Sequence, residues 1–365
     1  MWCLRSFSIT ATACLFFFSC SKKEPPRQVT PAFYYWQTTL DISRDTRRYL
    51  DSLGCRKLYV KLLDIGPDPA GAGIIPYSRL ETADSIPLQG IAVVPVFFIA
   101  NEVFRDVSAA QIERLSEKVV QTLGTYPRLY GGAPFPAEVQ FDCDWTPSTR
   151  AAFFDFLQKV DRRLPDSIVL SATIRLHQYK FPEQTGVPPI DRGMLMFYNT
   201  GDIEDPAYGN SIFTPADAEK YTSGTLHPYP LPLDLALPVF SWTLVYRDAE
   251  LWKILPGMED TELSDTTFFA PAVSNDLLQK ASFSRSYVKK GTFRSGHYLR
   301  PGDLLRTEWI SPATLLEAAS LAAGASLSDA TTVSFFHLEQ TTPHRYQTPL
   351  LDSVCRIIRT PQKRK

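Results

Sequence analysis

Apolar runs of strand length alternate along this chain with stretches whose apolar residues recur at helical spacing. Phe33-Tyr34-Tyr35-Trp36 predicts a first strand, and residues 44–53 a helix closed by Gly54. Strands are expected at 57–64 and 90–100. Between 108 and 123, Ile112, Leu115, Val119 and Leu123 mark one face of a helix. Ser108 is its expected N-cap, with Gln111 at the capping-box position. A fourth strand is expected at 138–145, a helix capped by Ser148 at 148–164, and a fifth strand at 168–176. A sixth strand falls at 193–199, a short helix at 214–221 with Pro at its first position, and a seventh strand at 235–242. A helix at 312–323, an eighth strand at 332–339 and a closing helix at 350–358 complete the pattern.

Eight strands separated mostly by helices predict a parallel sheet covered by helices. The count suits a closed (β/α)8 barrel of the TIM type, which takes about 250 residues before insertions. An open doubly wound sheet is the alternative. Its nucleotide-binding form is disfavoured, because no Gly-rich phosphate loop follows any strand. The connection from Trp242 to Pro312 is too long for one helix, and its hairpin-like runs predict a small α+β insertion at 243–311. The barrel itself is expected to span 32–360.

The first twenty residues differ from the rest. Arg5 precedes an apolar run ending Phe16-Phe17-Phe18-Ser19-Cys20, after which Ser21-Lys22-Lys23-Glu24-Pro25-Pro26 is abruptly polar. The run is shorter than the roughly 20 residues of a transmembrane helix and has the layout of a secretory signal. A small residue before a cysteine resembles the bacterial lipobox, with Phe17 where that motif usually has Leu. The resemblance implies a signal over 1–20, a lipid on Cys20, a linker over 21–31, and an exported chain anchored by lipid to the bacterial outer membrane.

A body that is 44% apolar and 21% charged is expected to fold. A net charge of −1 removes the electrostatic case for nucleic acid. Of six cysteines, Cys55, Cys143 and Cys355 lie beyond Cys20, an odd and widely spaced set that is neither a disulfide framework nor a metal knuckle. The five histidines have no ligand spacing. No metal and no cofactor is expected.

The chemistry gathers on the fourth strand. Alternation puts Glu138, Gln140, Asp142 and Asp144 on one face and Val139, Phe141, Cys143 and Trp145 on the other. In a barrel the apolar face meets the helices, so the polar face points inward and needs partners. Asp142 and Asp144 come last, at the carboxyl-end mouth where such barrels keep their active sites. On the fifth strand Ser171, Thr173, Arg175 and His177 turn inward by the same logic, and Arg175 is expected to pair with Asp142 or Asp144. Such a pairing splits the two carboxylates' pKa values, as glycosidic acid–base chemistry requires.

Asp142-Cys143-Asp144-Trp145 resembles part of the fourth-strand signature of chitinase-type glycoside hydrolases, Asp-x-x-Asp-x-Asp-x-Glu with Trp often before the Glu. Met196-Phe197-Tyr198-Asn199 resembles their sixth-strand Met-x-Tyr-Asp/Asn. The resemblance implies a glycan or oligosaccharide as partner, Asp142 as the assisting carboxylate, Tyr198 as the hydroxyl steadying an acetamido group, and Trp242 beneath a sugar. Gln140, Arg175 and Asn199 would line the substrate. With Trp145 aligned to the family's Trp, the acid position holds Thr146 and the protein would bind glycans without cutting them. With Gln140, Asp142 and Asp144 in the three alternating slots, Asp144 would be the acid, and a glycan-acting, glycoside hydrolase-like lipoprotein is the leading expectation, the non-catalytic glycan binder its alternative.

Overall fold

A computed structural model describes residues 25–71, 73–82, 88–223, 227–258, 260–272 and 282–360. The signal segment and Cys20 lie outside them. Eight strands form the barrel: β1 Gln28–Tyr35, β2 Lys57–Pro67, β3 Ala92–Ile99, β4 Glu138–Asp142, β5 Val169–Arg175, β6 Arg192–Met196, β7 Leu233–Pro238 and β8 Ala330–Phe336. Each pairs in parallel with its neighbour in sequence, and β1 pairs with both β2 and β8, so the sheet closes. This is the TIM-type barrel that the strand count predicted. A further strand, Ile74–Arg79, pairs antiparallel to β2. No helix among the described residues is long and apolar enough to cross a membrane.

The local signals work where backbone groups need them. Ser108 and Gln111 form the expected capping box on the helix Ala109–Leu123. Thr214 accepts from the Asp217 amide at the start of Pro215–Thr222. Ser148 does not cap the next helix as expected. That helix begins at Arg150, with Thr149 at its N-cap.

β4 carries the alternation furthest. Its outward Phe141 meets Phe156 of the helix Arg150–Asp161 edge-on at 5.2 Å, and Trp145 stacks on Phe153 at 5.4 Å. Full burial of such side chains stabilises by about 1.5–3 kcal/mol each. The inward polar face is satisfied by a hydrogen-bonded chain through the barrel. Lys57 pairs with Glu138 at 2.8 Å, Ser171 donates to Glu138 at 2.8 Å, Gln140 reaches Ser171 at 3.4 Å, and Tyr34 donates to Gln140 at 2.5 Å. Each polar group taken from water thereby regains a partner, without which burial costs on the order of 1–3 kcal/mol.

Several boundaries differ from the sequence expectation. β1 starts at Gln28, inside the stretch expected to be linker, because Gln28–Pro31 pair with β8. β4 ends at Asp142, and β5 ends at Arg175, so His177 lies on the helix Leu176–Lys180. The expected seventh strand is two strands. β7 stops at Pro238, which has no N–H for the ladder. Ser241–Arg247, carrying Trp242, instead joins a separate antiparallel sheet. That five-stranded sheet lies between β7 and the helix Pro312–Ala322 in the chain and has its own small core of Val245, Leu255, Phe269, Val288, Leu299 and Leu305.

Candidate functional site

The carboxyl ends of β4, β5 and β6 open into a cleft of about 390 Å³ lined by Asp144, Thr146, Arg175, His177, Tyr198 and Asn199, with Trp145, Leu176 and Tyr221. Asp144 stands two residues beyond the end of β4, on the loop toward the helix Arg150–Asp161. Gln178 anchors this loop. Its side chain donates to the Trp145 carbonyl at 3.1 Å and accepts from the Arg175 amide at 2.8 Å.

Arg175 engages Asp144 through two parallel bonds, Nε to Oδ1 and Nη2 to Oδ2, the second at 2.6 Å. The Asp144 side chain is 51% exposed and that of Arg175 17%. The pair therefore sits at the rim, with Arg175 reaching it from below. Of the two carboxylates expected to compete for Arg175, Asp144 takes it. Asp142 lies beneath, buried, and accepts from Thr173 at 2.6 Å. Burial raises its pKa above the ordinary aspartate range, opposed by the Arg175 charge and aided by Asp144.

Tyr198 is 3% exposed, and its hydroxyl has no hydrogen-bond partner among the described residues. Burial, helped by the nearby carboxylates and opposed by the Arg175 charge, holds its pKa well above that of an ordinary phenol, so it offers a proton donor at any physiological pH. Its ring stacks on Phe336 at 5.3 Å and meets Phe240 edge-on at 5.9 Å. Asn199 follows in the left-handed region, φ 55°. Its amide donates to the Ile212 carbonyl at 2.7 Å, leaving the residue exposed at the cleft. Burial also keeps His177 below its ordinary imidazole range.

The remaining candidates stand elsewhere. Gln140 is fully buried within the barrel, committed to Tyr34 and Ser171. Trp242 does not line the cleft. Its indole N–H donates at 2.9 Å to the buried Glu308, and its ring meets Phe240 at 5.4 Å. Thr146 reaches the cleft, but its hydroxyl is engaged with Ser148 at 2.9 Å and Thr149 at 3.2 Å at the helix start. Sequence reasoning missed Phe336 and Phe240, the aromatic wall around Tyr198. Phe336 was reachable, since it follows Thr332 and Ser334 by inward alternation on β8. Among the described residues no group of three His, Cys, Asp or Glu could hold a metal ion.

No family model matches the sequence, and no curated protein matches it. Solved structures do. The spore cortex-lytic enzyme SleL of Bacillus cereus is similar at 16% identity and a TM-score of 0.50, over 90% of this chain and 75% of that one. The C-terminal domain of a candidate chitinase from Desulfitobacterium hafniense is similar at 12% identity and a TM-score of 0.51, over 92% of this chain and 100% of that one. In fold, this chain resembles the chitinase-type barrels to which its fourth- and sixth-strand motifs pointed.

Proposed function

We propose that this protein is a glycan-binding barrel that holds an oligosaccharide at the mouth without hydrolysing it. The observation that carries the reading is the state of the carboxylates. A general acid must bring a proton to the glycosidic oxygen. Asp144 is tied to a guanidinium in both oxygens, Asp142 is buried beneath it, and Thr146 stands two residues beyond Asp144 with no acidic group. What the cleft offers is recognition. The Tyr198 hydroxyl, the side-chain amide of Asn199 and the Arg175–Asp144 pair present donors and acceptors beside a buried aromatic wall, the combination that suits a sugar's hydroxyls and acetamido group. The names of the fold neighbours direct the choice of ligand toward structural polysaccharides.

A second reading keeps catalysis. Burial raises the pKa of Asp142 above the ordinary aspartate range, and two carboxylates in unlike settings, one buried and one half exposed, stand in sequence. Chitooligosaccharides and peptidoglycan fragments separate the two. The binding reading expects saturable binding with no new reducing ends. Turnover that disappears in both Asp142→Asn and Asp144→Asn would replace it with the hydrolase. We further propose that Cys20 carries a lipid tethering the exported protein to the outer membrane. Cys20→Ala is then expected to leave the membrane fraction.

A further inference from the structure

The segment after β7 carries, beside its five-stranded sheet, a separate two-stranded hairpin whose surface the cleft does not use. Residues 282–302 contain five Lys or Arg and no Asp or Glu, in a chain whose net charge is −1. Within them Thr292–Arg294 and His297–Leu299 form a hairpin. Its alternation is clear. Thr292 pairs with Leu299, both buried, and Phe293 pairs with Tyr298, both pointing away from the core. Phe293 is 68% exposed, the most of any large apolar side chain among the described residues, and Tyr298 is 46% exposed. Trp252 on the neighbouring edge strand, 38% exposed, adds a third ring beside His297 at 6.1 Å.

Lys289, Lys290 and Arg294 of the same stretch have no carboxylate partner among the described residues. Lys289 donates to the Thr266 carbonyl at 2.7 Å, and Lys290 and Arg294 lie over the Phe268 ring. Arg300 meets a carboxylate among the described residues, Asp248, at 3.7 Å and with both side chains exposed. An exposed contact of that kind neutralises little.

We propose that this hairpin is a membrane-contact surface, seating Phe293 and Tyr298 in the interface of a bilayer that contains anionic lipid while Lys289 and Lys290, just before it in the chain, meet its headgroups. Aromatic rings favour the headgroup level, and basic side chains beside them gain from an anionic surface. The ring geometry selects lipid over a glycan strand. Phe293 and Tyr298 are tilted by 52° to each other, so they form no flat platform on which a sugar could lie. The surface shares no lining residue with the cleft, and its contact would orient the barrel on a membrane whatever else holds it there.

The test uses the full chain with phosphatidylcholine vesicles, with and without phosphatidylglycerol. The N-terminal apolar run contributes equally to parent and variant, so their difference isolates the hairpin. Lys289→Gln/Lys290→Gln is expected to weaken binding to the anionic vesicles by about 10- to 30-fold and to leave binding to phosphatidylcholine alone unchanged. Phe293→Trp is expected to gain blue-shifted fluorescence, quenched by brominated lipid, beyond that of the parent. Equal binding by parent and charge variant overturns the proposal. So does added fluorescence in Phe293→Trp that brominated lipid does not reach while soluble dextran sulfate binds in a lysine-dependent way, since the surface would then serve a soluble polyanion.

Discussion

Arg175 grips Asp144 across the mouth of the barrel with two parallel N–H groups, binding the last acidic residue of one strand's loop to the last residue of the next strand. The fork geometry is specific to arginine. Arg175→Lys is therefore expected to behave like Arg175→Ala in ligand binding, each weakening oligosaccharide affinity by about tenfold, a loss of roughly 1.4 kcal/mol. Because Asp144 is half exposed, thermal stability should move little in either variant. Isothermal titration beside a melting curve checks both halves. A lysine variant with parental affinity would show that charge alone suffices at that position.

Asp142 predicts a pH dependence. Burial raises its pKa in the folded chain above the value it has when unfolded. Between those two values the folded chain binds more protons than the unfolded one, so stability falls as pH rises through that window. Asp142→Asn keeps the acceptor for Thr173 and removes the ionisation. Its melting temperature should match the parent's below the ordinary aspartate range and exceed it near neutrality. Melting curves across pH decide this, and a variant less stable than the parent at neutral pH would mean that the Arg175 charge outweighs burial.

How much of this site the sequence disclosed depends on which physical signal carried each residue. The inward face of β4 and the pairing of Arg175 with one of the two aspartates were legible, because alternation is a local rule and buried charges must find partners. Alternation could not say where the strand stops. Asp144 and His177 leave the ladder, so one is held by Arg175 and the other turns onto a helix. Trp242 was misplaced for a related reason. The apolar pattern runs on from Leu233 to Tyr246, and only Pro238 marks the point where the chain passes from one sheet to another. The role of Glu308 depends on contacts distant in sequence, which no window of residues displays.

Glu308 is fully buried and pairs with the equally buried Arg306 at 2.6 Å. It also accepts from Trp242 Nε1 at 2.9 Å, from the Ser211 hydroxyl and amide at 2.8 Å, and from the Ile212 amide at 3.2 Å. Glu308→Gln sets an amide N–H₂ against some of these donors and strands the Arg306 charge. A loss of about 3–5 kcal/mol is expected, read as a lower urea midpoint. Ile212 in turn holds the Asn199 amide, so binding should weaken as well. A shift in emission from Trp242, compared with Trp242→Phe controls, would locate the change at this junction.

Tyr198 separates recognition from stability. Its buried hydroxyl has no hydrogen-bond partner among the described residues, so it costs the fold some desolvation and gives no bond in return. Tyr198→Phe keeps the stack on Phe336 and should leave stability unchanged or raise it by up to about 1 kcal/mol. If the hydroxyl meets the ligand, the same variant loses about tenfold in affinity. A destabilised variant with parental affinity would assign the hydroxyl to the fold.

Thr146 tests whether the cleft lacks only an acid. Thr146→Glu breaks the hydroxyl contacts with Ser148 and Thr149 at the helix start, at a cost of about 0.5–2 kcal/mol. The new carboxyl would also lie near the helix N-terminus, which favours its ionised form and disfavours proton donation. Arg175 would favour ionisation further if it swung from Asp144 to the new group. The single variant is therefore expected to give no measurable hydrolysis, whereas Thr146→Glu/Arg175→Ala, with one cation removed and Asp144 freed, should release reducing ends slowly from an oligosaccharide that the parent only binds. The rate should fall toward alkaline pH as the introduced acid ionises. A parent protein that already hydrolyses the same ligand, at a rate unaffected by Thr146→Glu, would place the acid elsewhere, with Asp142 the next carboxyl beneath the mouth.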